Sequence, residues 1–103
     1  MTNKYHARKT YSELCQRTFD SKAEAVRGEE LALLEKASKI SDLRYQVKFV
    51  LCPKPKITIS IDFAYLENSK RVFEDTKGVL TRDFRTKMVW AKEKFGIEIL
   101  LTR

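Results

Sequence analysis

The longest run of strict alternation in the chain is KITISIDFAYLE, residues 56–67. Ile57, Ile59, Ile61, Phe63 and Tyr65 recur at every second position, with Thr58, Ser60, Asp62 and Ala64 between them. A period of two predicts a β-strand with the large apolar residues on one face and the small polar ones on the other. Upstream, DLRYQVKFVLC alternates Val47, Phe49 and Leu51 with Lys48, Val50 and Cys52, and predicts a strand that breaks at CPKPK, where two prolines withhold backbone donors. Downstream, ENSK reads as a turn and RVFEDT as a third strand that stops before Gly78. The strands on either side of that turn should pair as an antiparallel hairpin.

The period lengthens to that of a helix in two places. Ser21 followed by Glu24 has capping-box spacing, with Ser21 as the cap and Glu24 in the first turn. Ala23, Val26, Leu31, Leu33, Leu34 and Ala37 follow at roughly helical spacing, predicting a helix from residue 21 or 22 to about residue 38. Gly28 weakens its middle without ending it. In TRDFRTKMVWAKEKF, Phe84, Met88, Ala91 and Phe95 form an apolar stripe, Thr81 is a good N-cap and Gly96 a good stop. IEILL then predicts a closing strand. The expected order is αβββαβ, an α/β fold in a single domain over residues 20–103, behind a basic N-terminal arm at 1–19 that holds a short strand or hairpin near Tyr11–Phe19.

Composition narrows the class. The chain has 103 residues, enough for one domain with a modest core, and is 43% hydrophobic and 34% charged, which excludes a disordered segment. Its apolar runs are too short to span a bilayer, and the polar N-terminus lacks the apolar stretch of a secretory leader, so no membrane association and a cytoplasmic location are expected. Lys and Arg number 21 against 14 Asp and Glu, a net charge of +7, which favours a polyanionic partner, nucleic acid first. Cys15, Cys52 and His6 are too few and too scattered for a zinc site, and the cysteines read as idle reduced thiols.

Against this basic background the acids at residues 62–75 stand out. Asp62 is on the polar side of its strand. Asp75 and Lys77 are two apart on the next strand and share a face, while Glu74 points the other way, to the surface or to a hydrogen-bonding partner. If Asp62 and Asp75 meet across the hairpin, two hard oxygen ligands converge with an ammonium beside them, as a Mg²⁺ site requires. A Mg²⁺ there would polarise a phosphodiester and acidify a bound water, with Lys77 orienting the water or stabilising charge on the phosphate. The competing structural reading is an ordinary salt bridge at a strand end.

Glu24 on the first helix, Asp62, and Asp75–Thr76–Lys77 in this order resemble the PD-(D/E)XK nuclease superfamily. Within it, FDSKAEA, IDFAY, EDTKG and the intervening ISDLRYQVKFVLCPK, as they stand at residues 19–25, 61–65, 74–78 and 40–54, are similar to a group of small phage proteins of uncharacterised function. That group is related to phage Holliday-junction endonucleases and transposon endonuclease subunits. The resemblance covers about residues 4–99. It implies a restriction-endonuclease-like αβββαβ core with a mixed central sheet flanked by helices. It implies Mg²⁺, with Mn²⁺ possible and no small-molecule cofactor. It implies DNA as substrate, plausibly branched, a homodimer, and the host cytoplasm if the protein is phage-encoded. By position, Asp62 and Asp75 would bind metal, Lys77 would be the catalytic lysine, and Glu24 the auxiliary acid, in competition with its capping-box role. Gln46 matches a recurrent polar position on the first strand and would approach the site or nucleic acid, or else be an ordinary exposed strand residue. Two departures are visible: Ile61 stands where a proline often precedes the first acid, and the PKPK link is short.

The expected nucleic-acid contacts are Lys4, Arg8 and Lys9 of the arm, with Gln46, Thr81, Arg85 and Lys87. Lys92 and Lys94 read as a solvated helix face, and Trp90 as a core or dimer contact. Two readings follow: a Mg²⁺-dependent endodeoxyribonuclease, or a non-catalytic nucleic-acid-binding module or nuclease subunit of a larger DNA-processing complex.

Overall fold

A computed structural model describes residues 8–102. Residues 10–19 form a hairpin of β1 (Thr10–Ser12) and β2 (Arg17–Phe19), followed by α1 (Lys22–Lys36). Three long strands come next, β3 (Ser41–Pro53), β4 (Lys56–Glu67) and β5 (Lys70–Thr76), then α2 (Arg82–Phe95) and β6 (Ile99–Thr102). From α1 onward the order is αβββαβ. The sheet order is β3-β4-β5-β6, antiparallel except for the parallel β5–β6 pair, which α2 connects. The molecule is thus a mixed α/β fold with a four-stranded mixed sheet and two helices. Among the described residues no helix is long and apolar enough to cross a membrane.

Local chemistry sets the element ends. The register Glu67↔Lys70 leaves a two-residue loop, Asn68–Ser69, with φ of +52° and +65° at the two positions. Such loops match the twist of the strands they join. The prolines at 53 and 55 do not part the strands: Pro53 pairs with Lys56, and the chain turns tightly between them. Ser21 and Thr81 cap the helices by accepting from the N–H groups of Glu24 and Phe84, and Gly96 ends α2 in the left-handed conformation.

Two apolar clusters hold the layers. One joins Phe19 of β2 to Ala25 and Leu31 of α1 and to Phe63 and Tyr65 of β4. The other joins Phe84 and Ala91 of α2 to Leu51, Ile59 and Ile61. The hairpin is therefore part of the core, since Phe19 is buried at the centre of the first cluster and Ser12 donates to Glu29 of α1.

Two sequence expectations need correction. Residues 57–65 of one parity were expected to line a single face; instead Ile59 and Ile61 join the α2 cluster while Phe63 and Tyr65 join the α1 cluster. The division falls at Asp62. On β3, between the pairs Tyr45↔Phe63 and Val47↔Ile61, Gln46 has φ +50°, and a residue in that region interrupts the regular pleat. In α1, Val26 and Leu33 are exposed and the inward face is Glu24, Ala25, Gly28 and Leu31. The helix lies so close to the hairpin that a Cβ on Gly28 would fall 2.6 Å from Phe19 Cζ, so the face that packs is the one with the smallest residue.

Candidate functional site

Where β4 and β5 part, their side chains take over from the backbone ladder. The last regular pair is Phe63↔Glu74. One step further, the Asp62 N–H donates to Asp75 Oδ1 at 2.8 Å, and the Thr76 N–H donates to Asp62 Oδ2 at 2.9 Å. Each carboxylate thus caps the other strand with one oxygen and keeps its second oxygen for other partners. Asp62 Oδ1 receives Gln46 Nε2 at 3.3 Å. Asp75 Oδ2 is fully buried and has no hydrogen-bond partner; Lys77 Nζ lies 3.1 Å away, an ion-pair distance without hydrogen-bond alignment. The Lys77 ammonium also sits 4.2 Å from the centre of the Phe84 ring, so α2 helps to fix it. The expected convergence of Asp62, Asp75 and Lys77 is present, and so is the Asp75–Lys77 ion pair of the competing reading, at a carboxylate that is 0% exposed.

Glu24 reaches the same place from α1. Its N–H is capped by Ser21 while its carboxyl turns away from the cap, and Oε2 accepts from Gln46 Nε2 at 3.2 Å. Capping and site membership were expected to compete. They coexist because the cap uses the backbone of Glu24 and leaves the side chain free.

The electrostatics are those of acids buried and crowded together. Glu24 is pushed up to about 8, first by burial and then by the charges of Asp62 and Asp20. Asp75 is pushed up to about 6, by burial and then by the charge of Asp62, with Lys77 opposing. Asp62 is raised by burial, against the Thr76 N–H and the Lys77 charge. Among the described residues no group of three or more His, Cys, Asp or Glu side chains is placed to hold a metal ion as it stands. The donor set nevertheless fits a hard divalent cation: a buried carboxylate oxygen accepts no hydrogen bond, and burial raises all three acids, which a bound cation would oppose.

Glu74, expected at the surface or hydrogen-bonded, is completely buried. It receives Arg27 of α1 through Nε and, at 3.0 Å, through Nη2, and the Tyr65 hydroxyl at 2.7 Å. Sequence reading missed this network, whose members are separated by up to 47 residues. It also left Ser60 without a task; Ser60 donates to Gln46 Oε1 at 3.0 Å.

The expected nucleic-acid contacts are not all gathered in one place. Lys4, like His6, lies outside the described residues. Arg8 and Lys9 are exposed just ahead of β1, and Arg85 is exposed on α2. Lys87 is paired with Asp83 at 3.3 Å, and the Thr81 hydroxyl is used as the α2 cap. Gln46 serves the acids. Trp90 packs against the α2 cluster.

Over residues 2–101 the chain matches the model of the family described as "Protein of unknown function (DUF1064)", and it belongs to that family. Comparisons with curated proteins and with solved structures give no match.

Proposed function

We propose that this protein is a metal-dependent DNA endonuclease with a restriction-endonuclease-like core, hydrolysing phosphodiester bonds, with branched DNA as its substrate. The observation that carries the reading is the reciprocal clasp of Asp62 and Asp75, which leaves one buried carboxylate oxygen unpartnered beside Lys77. Asp75 Oδ2 is ion-paired with Lys77 yet accepts no hydrogen bond, and so keeps a lone pair for a cation.

In this reading Asp62, Asp75 and Glu24 hold Mg²⁺, or Mn²⁺ in its place. When bound, the cation supplies charge neutralisation at the phosphate and acidification of water. Asp62 and Asp75 are held rigid by the N–H groups they accept, so they need not reorganise. Lys77, whose ammonium is placed by Asp75 and Phe84, orients the attacking water or stabilises the charge that develops on the phosphate. Arg85, Arg8 and Lys9 are the exposed cations that would meet flanking phosphates. Cutting both strands calls for two sites, hence a homodimer.

The test is incubation with supercoiled plasmid and a synthetic four-way junction in Mg²⁺, Mn²⁺ or chelator, with Asp62→Asn alongside. Metal-dependent cutting by the wild type that Asp62→Asn abolishes is expected. DNA binding without cutting would assign the chain instead to a non-catalytic binding module or a subunit of a larger DNA-processing complex.

A further inference from the structure

Gln46, expected from the sequence as a nucleic-acid contact, instead touches both the helix-borne and the strand-borne acid. Its side chain is held at three points: Nε2 lies 3.2 Å from Glu24 Oε2 and 3.3 Å from Asp62 Oδ1, and Oε1 accepts from Ser60 Oγ at 3.0 Å. A side chain so engaged does not project toward DNA. Its backbone is in the left-handed region, φ +50°, inside a strand, and such conformations persist where surrounding structure demands them.

The amide NH₂ faces two carboxylates, and a cation shared by them would lie against it. Its partial positive charge stands in for that cation. Were a cation to enter, an NH₂ facing it would be repelled. The same amide turned over presents a carbonyl oxygen, which is a neutral hard ligand of the type that Mg²⁺ accepts. Whether that turn is costly depends on what holds the other end. Here the holder is a hydroxyl, which both donates and accepts.

We propose that Gln46 is a divalent-cation ligand of this site, and that its amide inverts when the cation binds. Oε1 then replaces Nε2 on the side of Glu24 and Asp62 and faces the cation, and Ser60 Oγ changes from donor toward Oε1 to acceptor from Nε2. The inversion adds a fourth protein oxygen to those of Glu24, Asp62 and Asp75 without adding charge. This inference rests on the endonuclease reading of the same site.

The test is a Mn²⁺ titration of the full chain without DNA, following free Mn²⁺ by electron paramagnetic resonance. Gln46→Met keeps length and removes the donor and acceptor; it is expected to bind Mn²⁺ about tenfold more weakly. Gln46→Glu, which restores an oxygen ligand, is expected to bind at least as tightly as wild type. In wild type, the Gln46 side-chain amide resonances should shift on adding Mg²⁺, and this decides the matter should Gln46→Met fail to fold. A residue that merely braced the acids would leave Gln46→Glu as weak as Gln46→Met, which overturns the proposal. Unchanged affinity in a folded Gln46→Met, or wild-type amide resonances unmoved by saturating Mg²⁺, overturns the proposal alone. Absence of saturable Mn²⁺ binding by wild type overturns both it and the endonuclease reading.

Discussion

Asp62 and Asp75 cap each other's strands: the Asp62 N–H donates to Asp75, and Asp62 in turn accepts from the N–H of Thr76, at 2.8 and 2.9 Å. The exchange replaces the ladder where β4 and β5 diverge. It uses one oxygen of each acid and fixes the direction of the other. Two like charges are thereby held together in a buried place, and the consequences of that crowding can be measured.

The metal-free protein should lose stability as pH rises from about 4 to about 8. Glu24 goes from its ordinary 4.5 to about 8 on folding and Asp75 from 3.8 to about 6. A carboxyl with a raised folded pKa binds its proton more tightly in the folded state. Its contribution is complete below the unfolded value and disappears as pH rises through the folded one. Asp42, held low by Arg71 and Arg44, acts in the opposite sense but only below its ordinary 3.8. Because a divalent cation binds the ionised acids, Mg²⁺ should raise the melting temperature more at pH 8 than at pH 5. Thermal unfolding with chelator and with Mg²⁺ across this range checks both; stability rising through the window would contradict the assignment.

Arg27→Met should cost about 3–5 kcal/mol, because it leaves the Glu74 charge buried with only hydroxyl partners. Arg27→Met combined with Glu74→Leu should recover most of that loss. Urea unfolding of the three proteins distinguishes a buried pair from a surface one, for which the single change would cost under about 1 kcal/mol.

Gly28→Ala should destabilise, although alanine is the better helix former by about 1 kcal/mol. The added Cβ would lie 2.6 and 2.9 Å from Phe19 ring carbons and 3.3 Å from Phe63. Overpacking of this kind costs about 1–3 kcal/mol. A stabilised variant in denaturant titration would show that α1 can move away from the hairpin.

Arg85→Ala should weaken DNA binding and lower the salt dependence by about one counterion, since Arg85 is exposed and makes no ion pair among the described residues. Lys87→Ala should do less, because its ammonium is already committed to Asp83. Binding isotherms at several salt concentrations compare the two.

The parts of the fold that depend on near neighbours could be read from the chain. The Asn68–Ser69 turn, the Thr81 and Gly96 ends of α2 and the presence of the strands are decided within a few residues. So was the shared face of Asp75 and Lys77. The inward face of α1 was not legible, because it is chosen by Phe19, whose burial depends on a hairpin too short to show a period. Val26 and Leu33 look like core by spacing and are left outside. The Arg27–Glu74–Tyr65 network and the left-handed Gln46 arise from contacts between distant segments, and neither leaves a pattern in sequence.

The central claim is that this cluster performs chemistry, and Lys77→Ala tests it most directly. Lys77 is half-buried beside the acids without being one of them, so its removal leaves the proposed ligands in place. The measurement is the cleavage rate of a four-way junction and of supercoiled plasmid at saturating Mg²⁺, with Mn²⁺ affinity determined on the same protein. The account predicts wild-type cleavage, a loss of about 10²- to 10³-fold in Lys77→Ala, and Mn²⁺ binding retained. Cleavage by Lys77→Ala at the wild-type rate, or no cleavage of either substrate by a wild-type protein that binds DNA and Mn²⁺, would contradict it.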